Sequence, residues 1–301
     1  MEQSIGISAG GKIAVGLVEG EKVVLQAGVS AGAGGGYTSD FLSMPMEALV
    51  ETVAVTVEEM CRTHKVNPIA VGMCFPGIIR NGIIEESPNL KQAKGTNLCA
   101  LLTRALEGHG LTARVSVCND ADAVATGIAA RRGHLEKLIR VWTLGQGIGF
   151  GRYPHSAGPC EGGHTVVTLD PKEVYCGCGG RGHLEGIMGY RAMRLRFLDL
   201  EPEEVFAAAS EGDQRCVEFE LLWHRALAAA SATSVHLDGP GKFFITGASS
   251  VFIKVGLLAQ YLQEMVTMSP LQGSVFEVVP DHGELAITGA AVNAARAARA
   301  S

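Results

Sequence analysis

Two histidines and two cysteines lie within one stretch of twenty residues in the middle of the chain. They are His164, Cys176, Cys178 and His183. Tetrahedral zinc needs four nitrogen or sulfur ligands that converge on one point, and the glycines around the two cysteines let both thiolates approach an ion without side-chain clash. The spacing therefore predicts a zinc site made of these four residues. The alternative is that His183 points away and the two cysteines are idle thiols.

Two glutamates flank this cluster. Glu161 lies three residues before the first histidine, and Glu185 lies two residues after the last. A structural zinc site does not require carboxylates beside its ligands. The two glutamates therefore indicate that the metal braces a polar pocket.

The composition is that of a folded, acidic protein. The 301 residues are 47% hydrophobic and 19% charged, which excludes a disordered chain and allows one large or two medium domains. The formal net charge is -6, and the pair Arg131 and Arg132 is the longest run of basic residues. We therefore expect neither a nucleic-acid partner nor an anionic membrane surface as partner.

The ends and the cysteine content indicate the compartment. The N-terminus lacks a basic flank followed by a long apolar region, and every apolar run is interrupted before about 18 residues. No signal peptide or membrane span is therefore expected. Without an export signal, the eight cysteines are predicted to be thiols and metal ligands, and the cytoplasm is the expected location.

The hydrophobic pattern alternates between strands and helices. The first three predicted strands are separated by short glycine-containing turns, which is typical of an antiparallel meander. The predicted strands are 4–8, 12–18, 22–29, 69–75, 113–118, 138–144, 148–153, 242–245 and 274–279. The predicted helices are 46–65, 98–107, 121–132, 190–198, 202–210, 213–236, 251–268 and 284–300. This order predicts an α/β fold.

Three glycine-centred turns follow predicted strands. They contain Gly10, Gly11 and Lys12 in the first turn, Gly145, Gln146 and Gly147 in the second, and Gly247 in the third. Glycine lets backbone N–H groups crowd around an anion, so each turn could cradle a phosphate, although glycine also serves ordinary hairpin turns. There is no Walker A pattern, and the one G-x-G-x-x-G, at 177–182, lies inside the cysteine knuckle. These facts argue against P-loop and Rossmann folds.

Asn119 and Asp120 stand at the junction of a predicted strand and a predicted helix. The carboxyl end of a strand is a common position for catalytic groups in α/β folds, which makes Asp120 a candidate. The alternative is that Asn119 or Asp120 caps the helix.

Together these residues resemble the ROK family of sugar kinases, over essentially the whole chain. The resemblance is carried by the opening hairpin around Gly10 and Gly11, the segment Pro88-Asn89-Leu90, the segment 119–123, the E-x-G-H-like segment 161–164, the cysteine segment 176–185 and the late Gly289-Ala290-Ala291. The chain begins at the first strand, so no helix-turn-helix domain of the family's repressors is expected before it.

The resemblance implies an α/β, actin-like ATPase (ribonuclease H-like) fold of two domains with a cleft between them. The expected domains are residues 1–115 with 287–301, and residues 116–286 with the zinc site. It implies phosphorylation of a hexose or amino sugar by ATP and Mg²⁺, with the glycine turns binding the nucleotide. We expect a small-molecule sugar as ligand and a homodimer as the assembly.

Residue roles follow from the same resemblance. Asp120 is the expected general base for the sugar hydroxyl. The residues expected to bind the other hydroxyls are Asn89, Asn119, Glu161, His164 and Glu185. His164 would direct one ring nitrogen to zinc and the other toward the sugar. Asn89 could instead be a turn residue after Pro88.

The chain departs from the family on the phosphate side. Ser8 stands where the family has an aspartate, a threonine is missing between Gly11 and Lys12, and Gln146 replaces a threonine. Serine cannot supply the negative charge that helps to hold Mg²⁺. His183 replaces a cysteine in the zinc signature, and imidazole is an equally suitable ligand. Two functions stay open: a sugar kinase, or a sugar-binding protein with impaired ATP use. A zinc-dependent nucleic-acid binder fits the acidic balance poorly.

Overall fold

The structure is a computed structural model that describes residues 2–9, 13–29, 44–87, 90–135, 138–155, 158, 160–280 and 283–299. The strands are β1 (Gln3–Ala9), β2 (Ile13–Glu19), β3 (Lys22–Gly28), β4 (Ala70–Phe75), β5 (Ile78–Arg80), β6 (Ile83–Glu86), β7 (Arg114–Asn119), β8 (Ile139–Leu144), β9 (Ile148–Tyr153), β10 (Lys242–Thr246) and β11 (Val275–Val278). The helices are α1 (Met46–His64), α2 (Leu98–Gly108), α3 (Asp120–Arg131), α4 (Leu184–Met188), α5 (Tyr190–Arg196), α6 (Pro202–Glu211), α7 (Gln214–Asp238), α8 (Val255–Met265) and α9 (Glu284–Arg299). Short 3-10 turns cover Lys91–Ala93, Gly162–His164, Ala248–Phe252 and Ser269–Leu271.

The chain divides into two compact units. The first comprises Met1–Lys137, Gly151–Pro159 and His282–Ser301, and the second comprises Leu138–Phe150 and Cys160–Asp281. The predicted boundary at residue 115 falls inside the first unit, because β7 pairs with β4 and α3 packs on α9 there. The boundaries predicted from sequence therefore differ from this division.

The sheet of the first unit has the strand order β3-β2-β1-β4-β7 among the described residues. β1, β2 and β3 form the antiparallel meander that the sequence predicted, and β1, β4 and β7 run parallel. The carboxyl ends of these three parallel strands therefore meet at one edge of the sheet, where β7 leads directly into α3.

Helix α1 shows how the sequence builds the core of this unit. Its buried residues recur at helical spacing, among them Leu49, Val50, Val53 and Val57. The helix contains no glycine or proline and is capped after His64 by Lys65, whose backbone is left-handed with φ 53°. The apolar stripe therefore packs into the first unit's core.

Helix α9 packs closely on α3 and on the sheet of the first unit. A Cβ atom at Gly289 would overlap the carbonyl oxygen of Ala123, so the two helix backbones can approach only because this residue is glycine. Ala286 and Ala290 share a buried cluster with Cys74 and Ala123. Small residues on α9 thus set the position of α3.

The sheet of the second unit has the order β11-β10-β8-β9 in the part of the chain that the structure describes. β8, β10 and β11 are parallel, with Thr246 opposite Thr143 at the end of β10. The core of this unit includes the fully buried Trp142 and Trp223 and is covered by the helices from α4 to α8.

Most predicted elements are confirmed to within one or two residues. The predicted helix 251–268 is an exception, because residues 248–252 form a 3-10 turn and α8 begins at residue 255. The β5–β6 hairpin and the five-residue helix α4 have no counterpart in the sequence prediction. None of the helices in the described ranges combines the length and apolarity needed to cross a membrane.

Candidate functional site

The structure brings the four predicted metal ligands together in the second unit. One ligand atom from each of His164, Cys176, Cys178 and His183 lies within 4.8 Å of the other three. Cys176 Sγ is 3.4 Å from His164 Nδ1 and 3.4 Å from Cys178 Sγ, and Cys178 Sγ is 3.3 Å from His183 Nδ1. The arrangement in which His183 points away is therefore not the one observed.

These separations suit a tetrahedral zinc ion. With bond lengths of about 2.3 Å to sulfur and 2.0–2.1 Å to nitrogen, neighbouring ligand atoms around zinc are about 3.3–3.8 Å apart. A Cβ atom at Gly180 would overlap the His183 ring, so glycine is needed beside this ligand. Burial, with Cys178 and Glu185 adding to it, raises the pKa of the Cys176 thiol to about 12. A cation at the centre would favour the thiolate.

His164 presents its second ring nitrogen to Glu161. Nε2 lies 3.9 Å from Glu161 Oε2, while Nδ1 faces Cys176. The Glu161 side chain is 44% exposed and that of His164 is 27% exposed. One imidazole thus faces the metal ligands with one nitrogen and an accessible carboxylate with the other.

Glu185 connects the metal cluster to the second glycine turn. Its Oε1 lies 3.6 Å from Cys176 Sγ, and its Oε2 accepts a hydrogen bond from the backbone N–H of Ile148 at 3.1 Å. A Cβ atom at Gly147 would lie 2.4 Å from Glu185 Oε2, so a larger residue there would displace this carboxylate. Glu185 therefore links the metal cluster to the second glycine turn, a structural role that the sequence did not reveal. This role is separate from any contact with a ligand.

The turn at Gly145, Gln146 and Gly147 is held from both sides. Tyr190 N donates to Gly145 O at 3.0 Å, and Arg191 N donates to Gln146 O at 3.3 Å. Within the turn, Gly145 N donates to Gly147 O at 3.0 Å. Among the described residues, the N–H groups of Gln146 and Gly147 meet no protein acceptor, which suits a bound anion.

The third glycine turn adjoins the second. Gly247 has φ 97°, and a Cβ atom there would overlap the backbone of Leu144, the last residue of β8. The hydroxyls of Thr246 and Ser249 are buried and have no hydrogen-bond partner within the described ranges. Two of the predicted nucleotide turns thus converge at the carboxyl ends of β8 and β10.

In the first unit, Asn119 and Asp120 form the start of α3. Asn119 Oδ1 accepts hydrogen bonds from Ala121 N at 2.8 Å and from Asp122 N at 3.2 Å, and its Nδ2 donates to Gly77 O at 2.9 Å. Asn119 is therefore the helix cap, the alternative that the sequence analysis left open. One N–H of its amide is left for a ligand.

Asp120 is half-buried at the carboxyl edge of the sheet. One carboxylate oxygen accepts from Ala121 N at 2.9 Å. Burial raises the pKa of the Asp120 carboxyl above its ordinary value, the backbone hydrogen bonds oppose this, and the Asp122 carboxylate adds to it. A raised pKa moves a carboxylate toward the basicity that proton abstraction needs.

Ser8 lies at the same edge. Ser8, Cys74 and Cys118 are in register across β1, β4 and β7. Burial, with a contribution from Asp120, raises the pKa of the Cys74 thiol to about 12, while a hydrogen bond with Ser8 lowers it. Ser8, at the position where the resemblance leads us to expect an aspartate, thus places a neutral hydroxyl next to the buried thiol of Cys74.

Four predicted site residues, Gly10, Gly11, Lys12 and Asn89, lie outside the described residues. The first unit also contains a cluster of polar side chains formed by Asp122, His155 and Asn293. The sequence motifs gave this cluster no role. Asp122 belongs to the quoted motif, but nothing in the sequence linked it to His155 or Asn293.

The family model named "ROK family" matches residues 4–292 of the chain. The chain belongs to the ROK family. The resemblance found in its motifs is thereby confirmed.

Two curated relatives of the chain are named glucokinase. The glucokinase of Pyrobaculum calidifontis is 29% identical over 194 residues, covering 60% of this chain and 62% of that protein. The glucokinase of Aeropyrum pernix is 29% identical over 163 residues, covering 51% and 47%. The chain thus matches less than two thirds of the length of either relative.

Solved ROK structures share the fold. The ROK hexokinase from Thermus thermophilus has a TM-score of 0.79 at 24% identity, with 99% of this chain and 100% of that chain covered. A ROK family glucokinase from Streptomyces griseus, solved with glucose and AMPPNP, has a TM-score of 0.69 at 22% identity, with 98% and 99% covered. The predicted actin-like ATPase fold is therefore confirmed.

Proposed function

We propose that this ROK protein phosphorylates a hydroxyl of a hexose or amino sugar with ATP and Mg²⁺, and that Asp120 is the general base. The observation that carries the proposal is the half-buried Asp120 at the sheet edge, with a raised pKa and a fixed first turn of α3 beneath it. The relatives named glucokinase support the substrate class.

The remaining roles belong to the same proposal. Glu161, His164 and Glu185 bind sugar hydroxyls, as do Asn119 through its remaining N–H and Asn89. Hydrogen-bond partners held in fixed positions discriminate against a sugar that lacks the matching hydroxyl. The turns at Gly145 to Gly147 and at Gly247 bind the nucleotide, and the first turn, at Gly10 to Lys12, completes that set.

Zinc is the metal that we propose for His164, Cys176, Cys178 and His183. Its chemistry there is structural, since all four positions of a tetrahedron are filled by protein atoms. If His164 bound the ion through Nδ1, which faces Cys176 Sγ, its Nε2 would stay directed at Glu161. All eight cysteines are free thiols in the structure, which fits the cytoplasmic location that we propose. The proposed assembly is a homodimer.

Ser8 supports a second candidate, a sugar-binding protein that turns over little ATP. Its hydroxyl meets the buried Cys74 thiol and supplies no negative charge for Mg²⁺. A coupled assay with ATP·Mg²⁺ against hexoses and N-acetylhexosamines, beside calorimetry of sugar binding, separates the two. Turnover at ordinary kinase rates of about 1–100 s⁻¹ would exclude the second candidate, and sugar binding without turnover would select it.

Restoring the family's phosphate site should improve nucleotide binding. We expect Ser8→Asp, combined with a threonine inserted after Gly11, to tighten ATP·Mg²⁺ binding about tenfold, which is about 1.4 kcal/mol. The reason is that a carboxylate is a preferred ligand of Mg²⁺. Calorimetric titration with ATP at fixed Mg²⁺ measures the effect.

Ser8→Asn with the same insertion is the matched control, because asparagine has the size of aspartate without its charge. Equal ATP affinity of the two variants would contradict the charge argument. The comparison repeated without Mg²⁺ should remove the advantage of aspartate, since Asp120 lies near the same thiol and the two carboxylates then repel.

A further inference from the structure

His155 lies in the first unit, two residues after the end of the β9 segment that carries Arg152. Its Nδ1 is 3.1 Å from the carbonyl oxygen of Arg152 and 3.8 Å from Asp122 Oδ1. Both atoms are acceptors, so this nitrogen must carry a proton to satisfy them.

The other ring nitrogen also faces acceptors. Nε2 is 3.3 Å from Asn293 Oδ1 and 3.3 Å from Thr126 Oγ1. The Thr126 hydroxyl lies 3.0 Å from Asp122 O, the usual acceptor for a threonine in a helix, and 3.3 Å from Asn293 Oδ1, so it can donate to either oxygen. The Asn293 amide is oriented by its Nδ2, which faces Cys118 Sγ at 3.7 Å. With acceptors at both nitrogens, the ring is matched to the imidazolium form.

The surrounding charges favour that form. Burial lowers the pKa of His155, but hydrogen bonding and charge from Asp122, with Asn293 and Arg152 O, outweigh it and raise the pKa above its ordinary value. On α9, Arg296 donates to the hydroxyl of Tyr153, whose ring centroid lies 5.9 Å from that of His155. Cys118 on β7 lies next to Asn293, whose Nδ2 faces its Sγ at 3.7 Å.

We propose that His155 is a positioning residue for Asp120, because as an imidazolium it ties the end of β9 to α3 and α9 and so fixes the first turn of α3. Asp122 is the shared attachment: its Oδ1 also accepts a hydrogen bond from Arg152 N at 3.0 Å. Asp122 lies two residues after Asp120, so whatever holds it holds the proposed base. Only the kinetic part of this inference rests on the proposed function.

The stability test uses His155→Gln, with His64→Gln on the exposed surface of α1 as the matched control. A histidine whose pKa is raised on folding stabilises fully below its unfolded value of about 6.5, and the effect is lost as pH rises through the folded value. We therefore expect His155→Gln to lower the Tm below that of wild type at pH 6 and to match it at pH 9. An equal difference at both pH values would overturn the inference, and His64→Gln should show none at either pH.

Hydrogen exchange measures the positioning itself. The amides of Ala121 and Asp122 should exchange about two- to tenfold faster in His155→Gln than in wild type at pH 6, the effect of about one hydrogen bond. Unchanged exchange would overturn the positioning role. If the variant does not fold, the wild-type ring titrated by NMR decides, because a His155 pKa below about 6.5 would contradict the imidazolium.

The kinetic readout completes the test. In an active wild type, kcat should fall in His155→Gln at pH 6 with little change of the KM for sugar, and the two proteins should converge as pH rises. If wild type showed no sugar kinase activity, the proposed function would be wrong. The stability and hydrogen-exchange results would then test the role of His155 by themselves. A kcat ratio that does not vary with pH would count against the positioning role.

Discussion

Asp120→Ala should nearly abolish sugar phosphorylation, while most of the affinity for sugar should be retained. A general base contributes about 10²–10⁴-fold to a rate, so kcat should fall by that factor. Sugar affinity should fall by about 0.5–1.5 kcal/mol for one hydrogen bond, or up to about 3 kcal/mol since this acceptor is charged. Steady-state kinetics and calorimetry on the same preparation measure the two effects.

Two further variants separate chemistry from folding. Asp120→Asn keeps an acceptor for Ala121 N and should lose activity with little loss of stability. Asn119→Ala removes the helix cap and should cost about 1 kcal/mol of stability. Asp199→Asn, at an exposed carboxylate paired with Arg215, is the neutral control. Full activity of Asp120→Asn would exclude Asp120 as the base.

The raised pKa of Asp120 also predicts a pH profile. The base must be ionised to accept a proton, so kcat should decline as pH falls through this pKa, which burial places above the ordinary value of an aspartate. The decline should therefore begin at a higher pH than an exposed aspartate would give. A flat acidic limb would contradict the assignment.

Loss of one metal ligand should empty the zinc site and loosen the second glycine turn. Cys176→Ser is expected to lower the zinc content from about one ion per chain to near zero, because it leaves only three of the four ligands of a tetrahedral site. The free energy of zinc binding adds to the free energy of unfolding, so loss of the ion destabilises the fold. Each kcal/mol lost should lower the Tm by about 2–4 °C. Elemental analysis and thermal unfolding measure both effects.

The turn is a readout that needs no activity. Glu185 joins Cys176 to the amide of Ile148, so that amide should exchange faster once the ligand is lost. Chelator should lower the Tm of wild type and leave Cys176→Ser unchanged. Cys99→Ser, which keeps a donor for Val115 O outside the cluster, should retain zinc. Full zinc content in Cys176→Ser would contradict the site.

The features that the sequence could predict are local. The four candidate metal ligands, which the structure brings together, lie within twenty residues of the chain. Helix α1 follows from an uninterrupted apolar period and ends one residue earlier than predicted. Both depend on neighbours along the chain, where spacing determines which side chains share a face.

The features that it could not predict depend on distant contacts. His155 and Asn293 are 138 residues apart and meet only because α9 packs on α3 through Gly289. The predicted boundary at residue 115 differs from the division into two compact units, because β7 gives no local sign of pairing with β4. The structural role of Glu185 likewise depends on Ile148, 37 residues away.

Transfer of the γ-phosphoryl group of ATP to a sugar can be followed with labelled ATP. The purified protein is incubated with ATP labelled at the γ-phosphate, Mg²⁺ and each of several hexoses and N-acetylhexosamines, beside Asp120→Ala. We expect labelled sugar phosphate with wild type and about 10²–10⁴-fold less with the variant in the same time. Sugars that bind by calorimetry yet receive no label from wild type would contradict the proposed function.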